Sequence, residues 1–253
     1  MSFSNLITSI FGAMNTTGTT NQANRELWLR QILSKIPPGT RILDAGAGEQ
    51  KYKSYCAHLN YVSQDFARYD GVGDGVGLQT GVWDQTKLDI ISDITDIPVP
   101  DGSFDAILCI EVLEHLTNPV EALREFARKL IPGGDLIITA PFCSLTHYAP
   151  YYYQTGYSRY FYDYWLRNFG FTIIEMQWNG NYFEWIAQEL RRLPVIAETY
   201  ARGKVSWLEW KAIRLILSSL GRLSKMDHGS EQLLAYGLHV HARKMENITN
   251  KSK

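Results

Sequence analysis

The sequence predicts a three-layer α/β fold, a mostly parallel sheet with helices on both faces. Three observations carry this. The run Arg41–Asp44 is short and apolar, ends in an acid and meets Gly46-Ala47-Gly48. That is the pattern of a buried strand feeding a tight turn, because glycine permits backbone angles and close approaches that a Cβ forbids. A second short run, Tyr61–Gln64, ends in Asp65. An acid about 20 residues beyond a glycine-rich strand–turn is the ribose-binding arrangement of nucleotide-binding α/β folds. Further on, apolar runs alternate with amphipathic stretches at the spacing of βαβ units.

At 253 residues the chain is long enough for one sizeable core, or one domain with a substantial insertion. Its 45% hydrophobic and 20% charged content is that of a globular protein, not a disordered one. A net charge of −1 gives no global basic footprint for nucleic acid. The charge is uneven, though: residues 189–228 carry eight Lys/Arg against four Asp/Glu. Cys56, Cys109 and Cys143 have no metal-type spacing. Cys109 and Cys143 fall at apolar strand positions, so free thiols in a reducing cytoplasm are expected. There is no positive n-region with a cleavage site and no run of about 18 apolar residues, so neither export nor a membrane span is expected.

Taken in order, residues 1–20 read as a flexible arm, rich in Ser, Thr and Asn. Apolar spacing from Asn21 to Ile36 predicts a helix, stopped by Pro37-Pro38-Gly39. Strand 1 follows at Arg41–Asp44, then a first crossover helix over Gln50–Asn60 and strand 2 over Tyr61–Asp65. Residues 67–87 hold Gly71, Gly73, Gly75, Gly77 and Gly81 among acids; no lysine and no calcium-ligand spacing accompany them, so a flexible surface loop is expected. Ile90–Ser92 leads to Asp93, and Phe104–Ile110 reads as a central parallel strand. A helix should start sharply after it, with Asn118 as N-cap, Pro119 at N1 and Glu121 at N3, and stop before Pro132-Gly133-Gly134. Strands are expected at Leu136–Ala140, Phe171–Trp178 and Leu233–Arg243, with mostly helical sequence over 182–226 and a tail over 244–253. His239 and His241 share a face of the last strand, under a helix or at the surface.

The motifs Ile42-Leu43-Asp44-Ala45-Gly46-Ala47-Gly48, Asp65, Asp93-Ile94, Pro100-Asp101-Gly102-Ser103-Phe104-Asp105, Glu111-Val112-Leu113-Glu114-His115 and Leu130-Ile131-Pro132-Gly133-Gly134 occur in this order over about residues 40–142. In this the chain resembles the class I S-adenosylmethionine-dependent methyltransferases, in their small-molecule, type 11-like branch. The resemblance implies a Rossmann-like fold of seven strands with an antiparallel last strand, in one methyltransferase domain over 21–243. Substrate-side insertions would lie at 144–168 and 182–226. It also implies S-adenosylmethionine as cofactor, leaving as S-adenosylhomocysteine. By position, Gly46 and Gly48 let the backbone approach the methionine part, Asp44 reaches its amino group, Asp65 accepts from the ribose hydroxyls, and Asp93 accepts from the adenine amino group. The Ile94 N–H lies opposite the ring, while Ile110 and Glu111 line the methyl-transfer face. Gln50 stands where the family has a third glycine.

Methyl transfer is an in-line displacement at a sulfonium, so most of the catalysis is positioning; a hydroxyl acceptor also needs a base. Glu111, His115 and His147 are the catalytic candidates, the histidines as bases beside strand ends. Glu111, Glu114 and His115 resemble a divalent-metal cluster of some O-methyltransferases, but the preferred reading assigns no metal ligand and lets Glu114 and His115 simply precede a capped helix. The stretch 146–164 contains eight tyrosines with His147 and Arg159, placed where this fold puts its acceptor pocket. Residues 204–225 have an apolar stripe with Trp207 and Trp210 opposite a basic side, suited to burial or to peripheral contact with a membrane or lipid-linked substrate. The expected function is methylation of a small or carrier-linked acceptor, a hydroxyl of a sugar or similar polar metabolite, with no nucleic-acid partner. The alternatives are a non-catalytic cofactor-binding scaffold and a protein or RNA methyltransferase.

Overall fold

The computed structural model describes residues 16–246, so most of the expected arm and most of the expected tail lie outside the described residues. Its sheet has seven strands: β1 (Arg41–Ala45), β2 (Asn60–Asp65), β3 (Ile90–Ile91), β4 (Phe104–Ile110), β5 (Leu130–Pro141), β6 (Phe171–Asn179) and β7 (Gly237–Lys244). They run in the order β3-β2-β1-β4-β5-β7-β6. β1 pairs in parallel with β2 and β4, β2 with β3 and β4 with β5, whereas β7 is antiparallel to β5. This is the expected architecture. The helices are α1 (Asn21–Leu33), α2 (Pro119–Lys129), α3 (Arg159–Asn168), α4 (Tyr182–Tyr200) and α5 (Trp207–Lys225).

The chain divides into two compact units, Leu27–Gln177 with the segment from Gly237 on, and Trp178–Tyr236 with the segment up to Glu26. In the first, β4 lies at the centre and is buried along its length apart from Asp105, which is why it reads as an unbroken apolar run. Asp105 instead accepts from the Arg41 N–H (2.8 Å). Trp28, Leu29, Ile32 and Leu33 of α1 pack with Ile42, Cys56, Ala106, Leu108 and Ile137. His239 on β7 is buried and stacks on Trp28 (4.9 Å between rings), while His241 meets Asp135 at 2.9 Å, so both expectations for that strand hold. Asn118 caps α2 by accepting from the Glu121 N–H, an interaction worth about 1 kcal/mol.

Several local expectations fail. The segment 50–60 forms turns and one short 3-10 helix, Lys53–Cys56, instead of a crossover helix. Gln50 has φ +59, outside the right-handed helical region, so no α-helix starts there. Pro132-Gly133-Gly134 does not separate helix from strand; it lies inside β5 as an irregularity, because Phe104 pairs with Leu130 while Ala106 already pairs with Asp135. The last strand begins at Gly237, four residues later than expected. Cys143 lies just past β5 and is half-buried, while Cys56 and Cys109 are buried; all three are free thiols.

In the second unit α4 and α5 pack through Ala187, Ile213, Leu217 and Leu220, supported by Phe183 and Leu190. Asn181 caps α4, and Ser206 with Glu209 forms a capping box on α5. Trp207, Leu208, Leu215 and Ile216 of α5 are exposed. No helix among the described residues is long and apolar enough to cross a membrane.

Candidate active site

The turn after β1 is shaped by glycine. Gly46 has φ +78, and a Cβ there would sit 2.5 Å from Val112 Cγ2. The N–H groups of Gly46 and Ala47 donate to the Gln64 carbonyl (2.8 and 2.9 Å), fixing the turn to the end of β2. The Gly48 N–H donates to Asp65 Oδ2 and the Ala67 N–H to Oδ1, both at 2.9 Å. Burial raises the Asp65 carboxyl pKa, and these backbone donors oppose the rise. At the third-glycine place, Gln50 takes the left-handed conformation itself and donates through Nε2 to the Lys87 carbonyl (2.6 Å) and Ser63 Oγ (3.0 Å). Asp44 is buried under the turn and accepts from the Tyr61 hydroxyl at 2.6 Å. Burial pushes its pKa up to about 7; the Tyr61 hydrogen bond opposes this and the Asp65 charge adds to it.

Beside this turn opens a cavity of about 340 Å³. Of the expected cofactor residues, Gly46, Asp65, Asp93 and Ile94 line it, and of the expected catalytic residues, Glu111 and His115. Asp44, Gly48, Ile110 and His147 stand outside that lining. Gly48 holds Asp65 from behind, and Ile110 ends β4 at 7% exposure. Asp93 is exposed, and its Oδ1 accepts from the Thr95 N–H (2.8 Å) and hydroxyl (2.7 Å).

Sequence reasoning missed part of this wall. Tyr69 and Trp83, from the glycine-rich loop expected to be free surface, line the cavity with Tyr148 and Tyr151. Tyr69 stacks on Tyr148 (5.0 Å, 28°) and meets Trp83 edge-on (4.9 Å, 90°). The loop is also tied down by backbone hydrogen bonds between Leu78 and Thr146 and between Tyr148 and Leu78. Gln64 was missed as well; it lines the cavity, and its buried Oε1 has no hydrogen-bond partner. Arg159, a candidate anion partner, lies 3.5 Å from Asp163.

Glu111 has φ +56, and its Oε1 accepts from the Thr139 hydroxyl at 2.8 Å. Immediately after it the 3-10 turn Leu113–His115 is bound to the segment beyond β5. The Glu114 carbonyl accepts from the N–H groups of Tyr153 (3.0 Å) and Gln154 (3.1 Å), and the Leu113 carbonyl from the Tyr157 hydroxyl (2.6 Å). These ties bring His147 beside His115, ring centroids 4.7 Å apart. His115 Nδ1 donates to the Tyr151 carbonyl (2.6 Å) and His147 Nδ1 to the Leu145 carbonyl (2.8 Å). Each Nε2 then lies 3.7 Å from Glu114 Oε1. Burial, with His147 adjacent, drives the His115 pKa down to about 3. Burial also drives Glu114 up to about 6, opposed by His147. For His147 itself burial acts downward, but Glu114 and the Leu145 carbonyl outweigh it and raise its pKa.

This arrangement of turn, acid and strand ends is shared with known proteins. Residues 43–138 match the family model described as a methyltransferase domain. A probable tRNA methyltransferase 9B from Bos taurus is 32% identical over 114 residues, 44% of this chain and 23% of that one. A demethylmenaquinone methyltransferase from Mycobacterium bovis is 26% identical over 196 residues, 73% of this chain and 75% of that one. Among solved structures, an S-adenosylmethionine-dependent methyltransferase from Archaeoglobus fulgidus superposes with a TM-score of 0.54 at 16% identity, covering 88% of this chain and 94% of the other. Residues 43–138 thus carry the signature of a methyltransferase domain, and the chain shares its fold with S-adenosylmethionine-dependent methyltransferases. Its match spans about a quarter of the length of curated relatives such as the first.

Proposed function

We propose that the protein methylates a small or carrier-linked polar acceptor, at a hydroxyl of a sugar or similar metabolite, using S-adenosylmethionine. The observation that carries this reading is the single cavity that joins the Gly46 turn, Asp65 and Asp93 to Glu111, His115 and the tyrosines. The residues fit the cofactor. The turn has no room for a Cβ at Gly46, the Asp65 and Asp93 carboxylates line the cavity as acceptors suited to ribose and adenine donors, and Gln64 Oε1 is a further acceptor lacking a donor. S-adenosylmethionine supplies a methyl group on a positively charged sulfur.

The chain's own residues do the rest. Asp65, oriented by the Gly48 and Ala67 N–H groups, keeps lone pairs for the ribose hydroxyls. Asp93 accepts from the adenine amino group, and Ile94 packs against the ring. Asp44 answers the amino group from below the turn. Tyr69, Trp83 and Tyr148 wall the cavity and exclude water, which strengthens every polar contact inside. The Nδ1–H bond to Tyr151 leaves a lone pair on His115 Nε2, but that atom is buried 3.7 Å from Glu114 Oε1 and its low pKa makes it a weak base, so the part of His115 is to wall the acceptor pocket. Glu111, held by Thr139, borders the same space.

The test has two stages. S-adenosylhomocysteine binding is measured calorimetrically for wild type and Asp65→Ala, and labelled methyl transfer is then followed into a metabolite extract and, separately, into tRNA. Binding with transfer into small molecules supports the proposal. Binding without transfer supports the scaffold alternative, and transfer into tRNA the nucleic-acid one suggested by the name of the Bos taurus relative. Failure of wild type to bind the ligand refutes the central reading.

A further inference from the structure

Glu114 is fully buried, and neither of its carboxylate oxygens has a hydrogen-bond partner. Facing it are two imidazole nitrogens, His115 Nε2 and His147 Nε2, each 3.7 Å from Oε1. Both rings spend their Nδ1 proton on a backbone carbonyl, so in the neutral tautomer each Nε2 presents a lone pair. With both rings neutral, three acceptors thus converge in a dry place, which is costly unless a proton on one ring or a cation stands between them. The Nδ1–H···O=C bond behind each ring is also the outer contact that typically orients a histidine toward a metal.

We propose that Glu114, His115 and His147 hold a divalent transition-metal ion, of which Zn²⁺ is the representative. The candidate ligand atoms lie within 4.8 Å of one another. Neighbouring ligands of a tetrahedral ion at about 2.0 Å stand roughly 3.3 Å apart, so the two 3.7 Å separations close by a few tenths of an ångström and the longest, within 4.8 Å, by up to about 1.5 Å through rotation of the imidazoles. Two imidazoles with one carboxylate select Zn²⁺ and its first-row neighbours over Mg²⁺, which prefers oxygen. Glu111, which a metal reading of the sequence alone would include, is engaged by Thr139, and His147 takes its place. Three protein ligands leave a fourth position open, and His115 lines the cavity. Resting on the methyltransferase reading, that position receives an oxygen of the acceptor and lowers its pKa, so the substrate class is one with a hydroxyl able to bind metal.

The test uses the full chain stripped with EDTA and titrated with Zn²⁺ alone, then with Mg²⁺ alone. One Zn²⁺ should bind per chain and Mg²⁺ should not compete. His147→Ala and Glu114→Gln should each weaken Zn²⁺ binding ten-fold or more, whereas His228→Ala, on the exposed surface of the other unit, should not. If the alanine variant fails to fold, the Gln variant carries the comparison. Absence of stoichiometric binding, or equal affinity in His147→Ala and His228→Ala, overturns the proposal. S-adenosylhomocysteine titrated into the same samples separates the two readings. Nucleoside binding without Zn²⁺ binding sinks the metal site alone, and Zn²⁺ binding without nucleoside binding sinks the methyltransferase reading alone.

Discussion

The proposed assignment of Asp44 to the cofactor's amino group predicts that binding is coupled to a proton. Its carboxyl is buried at 2% exposure with Tyr61 as donor, and its pKa stands at about 7 in the free protein. If the amino group of the bound nucleoside approaches as an ammonium, the ionised form is favoured and the pKa falls well below neutrality. At about pH 6 the free protein then carries about 0.9 proton on Asp44 and must release nearly all of it on binding, whereas at about pH 8 it carries about 0.1. The affinity of wild type should accordingly fall about ten-fold between about pH 8 and about pH 6, while Asp44→Asn should be flat over the same interval. The assay is calorimetry of S-adenosylhomocysteine in two buffers of different ionisation enthalpy, which yields the protons released per ligand. Release that is absent at about pH 6 in wild type, or equally present in Asp44→Asn, would refute the assignment of Asp44 to the ammonium.

The same group bears on stability. Its folded pKa lies above the unfolded value of 3.8, so its contribution favours the folded state at low pH and is lost as pH rises through about 7. Asp44→Asn should therefore flatten the pH dependence of thermal unfolding across that window, by about 4 kcal/mol at most. Asp65→Ala removes an acceptor aimed at the ribose and should weaken S-adenosylhomocysteine binding by about ten-fold or more, corresponding to roughly 1.5–3 kcal/mol; an unchanged affinity by calorimetry would count against the ribose assignment. Gly46→Ala places a methyl 2.5 Å from Val112 at φ +78 and should lower the melting temperature along with nucleoside affinity. Asp135, held by His241 and Arg243, has its pKa lowered despite burial. Its support is present above the ordinary carboxylate range and lost as pH falls below it, so Asp135→Asn should reduce stability at neutral pH and shrink the difference in acid, as followed by thermal unfolding.

The parts legible in the sequence are those whose signal is local. Phe104–Ile110 is a strand because it is apolar on both faces, and Asn118-Pro119 starts a helix because cap and first turn lie within four residues of each other. The Gly46 turn and Asp65 were readable for the same reason. What was not readable depends on chain segments meeting. Glu114, His115 and His147 converge only because the Leu113–His115 turn is bound to the segment after β5. Tyr69 and Trp83 enter the cavity wall because their loop is tied at Leu78 to Thr146 and Tyr148, which no spacing within 67–87 reveals. The failed crossover helix turns on Gln50, whose left-handed backbone was not legible from its side chain.

The antiparallel strand β7 lies between β5 and β6, so its register, from Asp135↔Arg243 to Pro141↔Gly237, joins segments about a hundred residues apart. During synthesis β1 to β5 can pair as they emerge. Until Gly237–Lys244 has left the ribosome, however, both edges that β7 will cover remain open, and β6 has no neighbour to join. Completion of the sheet is therefore deferred until β7 has emerged. A chain interrupted before Gly237 would expose the apolar edge of β5, with its Leu136, Ile137 and Ile138, to other strands: a substrate for chaperones or for aggregation, not a shortened enzyme.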